Sequence, residues 1–463
     1  MKTFIGLNEY QLSQKNAEEA LFWQPETLTN NHILIAGSAG TGKTTQSMRL
    51  LQAVAYQGIQ TDVFDVHEEF ADIQGSSTAK YSQSTRFGYN PLVIDPDLHA
   101  GGPDRQAGFL VNLIREVSPE FGNIQENALR HLVMDLYAAN GIFRDNPSTW
   151  LRQEITERQR ADLIAGKQWE SLKNFYPTLG DLQDYARRKI RALTIGADNK
   201  AAIHLENLLR LVATQHRNLR KQHKEPAAVD IERKIEETRA KCIDSYRNAV
   251  NSLETGKELD DILKYNSADT LSGVYRRLDL LNSAGIFCAN APDFDSNFRV
   301  HQIKDLLNEQ QVLLVKTRLK IIFETAKRLG KVPHGELRHV IFLDEAHKFF
   351  NDDPNDIISI IAKEARKFGI GLWCATQNPT AFPEEFLSNC GCKIFTGIDA
   401  SYWKKVTSMF RISVEGLKFI RAKQSIAVKL QLAGHSDPPF NQIVIPNPNT
   451  IYGRRCADSE KRF

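Results

Sequence analysis

The feature that most constrains this chain is a loop of small residues between a predicted strand and a predicted helix. The apolar run His32–Ala36 indicates a buried strand, and residues 43–57 have a helical pattern. Between them, residues 37–44 read GSAGTGKT and fit G-x-x-x-x-G-K-[ST]. Glycines let successive backbone N–H groups turn towards phosphate oxygens, and the positive end of the helix points at the same anion. The sequence therefore predicts a nucleoside triphosphate site.

The side chains of this loop predict the cofactors ATP and Mg²⁺. Lys43 is placed to reach the β- and γ-phosphates, and the Thr44 hydroxyl is placed to bind Mg²⁺. The residues expected to contact the nucleotide are Gly37, Ser38, Ala39, Gly40, Thr41, Gly42, Lys43, Thr44 and Thr45.

Hydrolysis also needs a Mg²⁺ anchor, an oriented water and a cation for the charge that develops on the γ-phosphate. Asp344 and Glu345 follow an apolar strand and suit the Mg²⁺ anchor and the base that polarises the water. Gln377 ends another predicted strand and could sense the γ-phosphate through its amide. The structural alternatives are an acidic cap on the first strand and an ordinary polar end on the second.

Two further groups of residues are candidates for this site. Arg366 ends the helix between these strands, too remote to act within its own subunit but able to reach a neighbour's γ-phosphate in a ring. Asp65, His67 and Glu69 lie at the carboxyl end of a second strand, near the phosphates in such a sheet. The alternatives are an ordinary helix C-terminal charge for Arg366 and a surface loop for the other three.

Composition indicates an ordinary soluble protein of 463 residues with 41% hydrophobic residues. A net charge of +3 is too small to indicate a nucleic-acid partner by itself, and six cysteines suggest a reducing compartment. No apolar stretch is long enough for a membrane helix, and the N-terminus lacks a signal-peptide pattern. We therefore expect a cytoplasmic protein with no membrane segment of its own.

The alternation of predicted strands and helices predicts an α/β fold with a mostly parallel sheet. Residues 1–31 should form an arm with an edge strand and a loop that carries Trp23. The core should comprise residues 32–103 and 291–450, interrupted by an all-α insertion over residues 104–290 and followed by a tail, 451–463.

The predicted insertion carries clusters of basic residues on its helices. They are typical either of a solvated helix face or of contacts with the phosphate backbone of DNA. The candidate DNA-binding residues are Arg187, Arg188, Lys189, Arg191, Arg217, Arg220 and Lys221.

Taken in order, these motifs resemble the HerA–FtsK superfamily of ring-forming ATPases. Residues 65–70, DVHEEF, are similar to D-P-H-G-E-Y of HerA, with Val66 and Glu68 in place of its proline and glycine. Further similarities are the N-P-L that follows (90–92), the Walker B motif LDEAH (343–347), and the arginine-finger helix and sensor strand, ARKFGIG (365–371) and ATQNP (375–379). The resemblance implies a RecA-like P-loop ATPase core.

The resemblance also implies a function: an ATP-hydrolysing homo-hexamer that moves double-stranded DNA through a central pore, as a DNA translocase or helicase. Its setting would be DNA-end processing beside a nuclease, conjugative transfer, or antiviral defence with another effector. The helical insertion is placed as in conjugative coupling proteins and type IV secretion ATPases. The alternative is therefore an ATPase of a membrane secretion complex that moves protein subunits, and a third hypothesis is a nucleotide-switched scaffold.

Overall fold

The structure is a computed structural model that describes residues 2–195, 199–220, 227–251, 261, 263–435 and 437–462. The chain divides into two compact units, Met1–Tyr89 with Asn290–Phe463, and Asn90–Ala289. The second unit begins before the predicted limit at residue 103, because Leu92 is buried in it and accepts a hydrogen bond from Tyr137 Oη at 2.9 Å. The predicted domain limits otherwise stay a prediction.

The first unit is built on an eleven-stranded sheet with the order β2-β1-β11-β10-β9-β3-β8-β7-β4-β6-β5. Neighbouring strands are parallel from β9 to β5, and the four strands beyond β9 pair antiparallel. The predicted α/β fold with a mostly parallel sheet is confirmed. The strands are β1 Thr3–Asn8, β2 Ala20–Trp23, β3 His32–Gly37, β4 Gln60–Asp65, β5 Ser76–Lys80, β6 Phe298–Gln302, β7 His339–Leu343, β8 Ile370–Thr376, β9 Cys390–Gly397, β10 Ser425–Leu430 and β11 Asn441–Val444.

Helices flank this sheet, and every residue of the central strands β3, β7 and β8 is buried. Such continuous burial is typical of parallel strands covered on both faces, and it explains their unbroken apolar runs. The helices of this unit are Glu9–Gln14, Lys43–Tyr56, Asn308–Leu329, Ile357–Glu364, Glu384–Asn389, Trp403–Phe410, Val414–Lys418 and Ile451–Glu460.

Three local expectations for this unit were wrong or incomplete. Trp23 lies in strand β2 rather than in a loop, and its ring packs edge-on against Trp373 at 5.2 Å. Residues 451–460 form a helix whose Cys456 packs against Leu7, so the end of the chain is not a simple tail. Strand β5 was not predicted, because its sequence SSTAK has no apolar run.

The described residues of the second unit form helices and connecting loops, and they contribute no strand to the sheet. Its core is lined by leucines and valines at helical spacing, among them Leu129, Leu132, Val133 and Leu136. The helices are Pro103–Val117, Asn123–Ala139, Glu157–Ala165, Trp169–Leu172, Leu179–Ile195, Asn199–Arg220, Ala227–Asn251 and Ala268–Asn282. Across the described parts of both units, no helix combines the length and apolar character needed to cross a bilayer.

Candidate active site

The sheet topology brings four chain segments to one edge of the first unit. Strands β3, β8, β7 and β4 are neighbours and run parallel, with Ala36 opposite Thr376 and Phe64 opposite Leu343. The residues that follow these strands therefore meet at their shared carboxyl edge, where α/β sheets bind ligands. The glycine-rich loop, Gln377, the Asp344–Glu345 pair and the 65–70 segment all lie there.

The glycine-rich loop has the backbone that its sequence predicts. Gly40 and Gly42 have φ angles of 77° and 102°, a region that residues with a Cβ avoid. A Cβ on Gly37 would lie 2.0 Å from Thr396 Oγ1, so strand β9 leaves no space for a side chain. Thr41 Oγ1 donates to Ser38 O at 2.8 Å and closes the turn. The helix begins at Lys43 directly after the loop, so its first N–H groups point towards it.

Glu345 is the centre of a polar network on this edge. Lys43 Nζ lies 2.7 Å from Glu345 Oε1 and 4.0 Å from Asp344 Oδ1. Gln377 Nε2 donates to the same Glu345 oxygen at 2.9 Å. The structure thus brings together four predicted site residues from three distant parts of the chain.

The two adjacent carboxyl groups have different proton affinities. Burial raises the pKa of Asp344 to about 6, although the charge of Lys43 opposes this shift. Burial also acts to raise the pKa of Glu345, but the hydrogen bonds from Lys43 and Gln377 outweigh it and lower that pKa. Glu345 is therefore the carboxylate that stays ionised and able to accept a proton at neutral pH.

Two observations indicate that these acids are held for a purpose other than stability. Asp344 Oδ2 is buried and has no hydrogen-bond partner among the residues that the structure describes, which is costly for a carboxylate oxygen. Glu345 has a φ of 43°, a left-handed conformation that is strained for a non-glycine residue. An unpartnered buried carboxylate oxygen fits a cation ligand, and strain of this kind is common at active sites.

His347 is a residue of this network to which the sequence assigned no role. Its Nδ1 lies 3.4 Å from Glu345 Oε2 and 3.2 Å from Thr376 Oγ1, and burial lowers the pKa of His347. The imidazole therefore connects the end of β8 to the second carboxylate oxygen. Its spacing, two residues after Glu345 in LDEAH, was the available signal.

The 65–70 segment is folded around the side chain of Asp65. This carboxylate accepts the N–H groups of His67, Glu69 and Phe70 at 3.1, 3.2 and 2.9 Å, so it shapes the loop. Glu69 Oε2 accepts the Thr44 hydroxyl at 2.7 Å, and the His67 side chain is exposed. Glu68 has a φ of 63°, the left-handed backbone that a glycine would adopt without strain. The loop therefore keeps the turn that HerA's glycine would favour.

Arg366 is not part of this network. Arg366 lies in the turn Ala365–Phe368 before β8, whereas Gln377 follows the same strand. The Arg366 guanidinium contacts His334 Nδ1. Strand β8 has seven residues, which at about 3.3 Å each separates Arg366 from the loop edge by roughly 20 Å. This position agrees with the expectation that Arg366 cannot act within its own subunit.

Three of the seven candidate DNA-binding residues of the helical unit contact neighbouring side chains. Arg187 donates to Tyr275 Oη at 2.7 Å, and Lys189 Nζ lies 2.8 Å from Asp261 Oδ2. The Arg188 guanidinium lies over the Tyr185 ring at 5.4 Å. Arg191 is half-buried on the same helix, the side chains of Arg217 and Arg220 are not described, and Lys221 lies outside the described residues.

Comparison with known proteins places these features in a family. A family model described as the central domain of the helicase HerA matches residues 21–162, and one described as the C-terminal domain of HerA-like helicases matches residues 319–420. No curated protein matches the chain.

Among solved structures, VirB4 of Thermoanaerobacter pseudethanolicus is similar with a TM-score of 0.60 and 14% identity, and the alignment covers 96% of each chain. A bacterial conjugative coupling protein, TrwB lacking an N-terminal segment, aligns with a TM-score of 0.48 and 10% identity over 98% of this chain and 95% of that one. The likeness to VirB4 shows a shared fold. Together with both family models, it leads to the conclusion that the chain belongs to the HerA–FtsK superfamily of P-loop ATPases.

Proposed function

We propose that the chain hydrolyses ATP at the carboxyl edge of its sheet and that it works as a homo-hexameric motor on double-stranded DNA. The observation that carries the hydrolysis is the convergence of Lys43 and Gln377 on Glu345. Membership of a superfamily of P-loop ATPases supports the same activity.

Each residue of the network has a proposed part in the reaction. Lys43 and the N–H groups of the loop 37–44 hold the phosphates, and Gln377 orients Glu345 and the attacking water. The water oxygen forms a bond to the γ-phosphorus, the bond to the bridging oxygen breaks, and the water proton moves to the ionised Glu345. ADP and phosphate are released, and His347 keeps the second oxygen of Glu345 in place.

The donor set fits a Mg²⁺ ion. Thr44 supplies a hydroxyl, and Asp344 supplies the buried oxygen for which the described part of the chain offers no hydrogen-bond partner. Bound Mg²⁺ would neutralise phosphate charge, and its presence would favour the ionised form of Asp344. Glu69 accepts a hydrogen bond from the Thr44 hydroxyl and is therefore placed to orient it.

The hydrolysis proposal predicts a separation of binding from turnover. Glu345→Gln keeps the acceptor for Lys43 but cannot take a proton, so we expect ATP turnover to fall by about 10²–10⁴-fold while ATP binding is kept. The matched control is Glu19→Gln, an exposed glutamate just before the edge strand β2 that should leave turnover unchanged. Steady-state ATPase rates and nucleotide titrations measure both effects, and full turnover by Glu345→Gln would remove it as the base.

The ring proposal follows from the position of Arg366 at the opposite edge of the sheet. We propose that it stabilises the γ-phosphate charge of a neighbouring subunit. In mixtures with wild-type protein, Arg366→Ala should then reduce ATP turnover by more than its molar fraction. A strictly proportional loss would show that Arg366 does not act between subunits.

The polymer moved is the remaining part of the proposal. Duplex DNA should raise ATP turnover several-fold at low salt, and the stimulation should disappear as salt rises, because phosphate contacts release counterions. A flat response to DNA would favour the alternative, an ATPase that moves protein subunits of a secretion or conjugation complex. Contacts between DNA and the basic residues of the helical unit are also proposals, with a nuclease or another effector as candidate partner.

A further inference from the structure

A second concave region lies at the other edge of the same sheet, where β3 and β9 begin. The cavity has a volume of about 1210 Å³, and its lining includes Asn30, just before β3, and Asn389, just before β9. Six residues of β3, at about 3.3 Å each, separate this edge from the glycine-rich loop by roughly 17 Å. The basic cavity, as we call it, is therefore a separate site from the network around Glu345.

The basic cavity has far more positive than negative groups in its wall. Arg366 and Lys367 come from the turn before β8, Lys405 comes from the helix Trp403–Phe410, and Lys393 and Lys429 come from β9 and β10. Lys363 and Arg411 also line it, whereas its acidic lining residues are Glu384 and Asp437. A concave site lined by one sign of charge concentrates its electrostatic potential on ligands of the opposite sign.

Two of these lysines are placed directly opposite each other in the sheet. Lys393 and Lys429 are register partners on the antiparallel strands β9 and β10, so their side chains leave the same face. Lys429 is only 8% exposed, and burial, with a smaller contribution from the charge of Lys429, lowers the pKa of Lys393. Like charges directly opposite each other destabilise a sheet, so this pair has a cost that an anion would offset.

The carboxylates of the chain compensate only some of these cations. Asp437 lies 2.5 Å from Lys429 Nζ and 2.9 Å from Arg411 Nη1, and it is the acid that both cations share. Lys363 Nζ lies 2.8 Å from Glu385 Oε1. These three cations therefore have carboxylate partners.

The other four cations have no carboxylate partner among the residues that the structure describes. Lys393 Nζ donates to Cys390 O at 3.1 Å, Lys405 Nζ donates to Thr380 O at 3.4 Å, and Arg366 contacts His334. Lys367 is exposed at the rim. Four uncompensated cations around one concavity are an arrangement suited to a ligand with several negative charges.

We propose that the basic cavity is a second anion site that binds a compact oligophosphate, such as the triphosphate part of a nucleotide. Its concave shape and the largely buried Lys429 favour a ligand that enters the cavity over a duplex, which would need an extended basic stripe. The ligand is an oligophosphate free in solution, distinct from the nucleotide of a neighbouring subunit on which Arg366 is proposed to act. Binding of this ligand does not require that the chain hydrolyse ATP.

The test uses inorganic tripolyphosphate and the full chain with the glycine-rich loop disabled by Lys43→Ala. Lys43→Ala removes the main phosphate ligand of the glycine-rich loop. Saturable binding of tripolyphosphate, measured by calorimetry in this background, would therefore take place at the basic cavity. Adding Lys393→Met and Lys405→Met should weaken binding by at least about tenfold, because each removes a charge-assisted contact. The control pair, Lys15→Met with Lys461→Met, removes the same charge at exposed positions and should leave binding unchanged.

Two results would overturn the proposal: no saturable binding by the Lys43→Ala protein, or equal binding by the cavity and control variants. The proposal would also be overturned if a duplex oligonucleotide bound to the same residues more tightly than tripolyphosphate does, because the ligand of the cavity would then be DNA. If the lysine variant of β9 does not fold, Lys367→Glu changes only the exposed rim and should still weaken binding. Because the Lys43→Ala background is not expected to hydrolyse ATP, failure here is distinguishable from failure of the motor proposal.

Discussion

The sheet carries two clusters of cationic side chains, and they differ in where the balancing anion comes from. In the first, the fully buried Asp62 of β4 is surrounded by Arg318 Nε at 2.9 Å, His301 Nε2 at 2.7 Å, His339 Nε2 at 2.8 Å and Arg299 Nη1 at 3.3 Å. In the second, the basic cavity, Asp437 is the shared acid, and its side chain is 41% exposed.

The Asp62 cluster is closed by further contacts within the chain. Tyr81 Oη lies 2.7 Å from His301 Nδ1, and the Arg318 guanidinium lies over the Tyr89 ring at 5.1 Å. Burial alone would raise the pKa of Asp62, but the charge of Arg318 and the hydrogen bonds from the histidines lower it well below its usual value. The Asp62 cluster therefore contains its own anion and is part of the core, whereas the basic cavity is open to a ligand.

Removing the anion from each cluster should give the largest difference. Asp62→Asn leaves the half-buried Arg318 and Arg299 without a counter-charge, and we expect the free energy of unfolding to fall by up to about 3–5 kcal/mol. Asp437→Asn is the matched control at an exposed position, where solvent screens the ion pairs and the expected loss is much smaller. Urea denaturation measures both. Similar losses for the two variants would mean that the clusters are not different in kind.

Acid titration should give a smaller effect of the same origin. The pKa of Asp62 is lower in the folded protein than its reference value of 3.8, so its stabilisation is present above that value. This stabilisation is lost as the pH falls through the lower folded pKa, because the unfolded chain then binds the extra proton. Unfolding free energies measured from about pH 5 to about pH 2 should fall less steeply for Asp62→Asn than for wild type. Parallel curves would contradict the assignment.

The two clusters also show what could and could not be predicted from the sequence. The strands β3, β7 and β8 were predictable because full burial gives them continuous apolar runs next to recognisable motifs. Asp62 was hidden inside such a run, since its partners come from β6, β7 and the helix Asn308–Leu329, which are far away in the chain. Pairings of this kind depend on strand register, and no local pattern encodes it.

The same reasoning applies to the candidate active site. The positions of Lys43, Glu345 and Gln377 at strand ends could be predicted, because parallel strands share one carboxyl edge. The spacing of His347 after Glu345 was a signal for a role in the site, but its contact with Glu345 could not be predicted. The use of Asp65 to hold its own loop could not be predicted either, because both contacts depend on the direction of side chains after the strand. The pairing of Lys393 with Lys429 is likewise a consequence of register, which the sequence around either lysine does not encode.

The smallest expected effect is a change in the free energy of unfolding whose sign differs between the two clusters. Removal of a charge should destabilise the Asp62 cluster and stabilise the basic cavity. Lys393→Met keeps the apolar stem in β9 and removes the like charge opposite Lys429, so the free energy of unfolding should rise by up to about 1 kcal/mol. The exposed control Lys461→Met should change it little. Saturating tripolyphosphate should reverse the order, because a ligand that binds only the folded state stabilises wild type more than a variant with a weakened site. If Lys393→Met were destabilising with and without the anion, the lysine would serve the fold, and the basic cavity would be closed by its own residues, as the Asp62 cluster is.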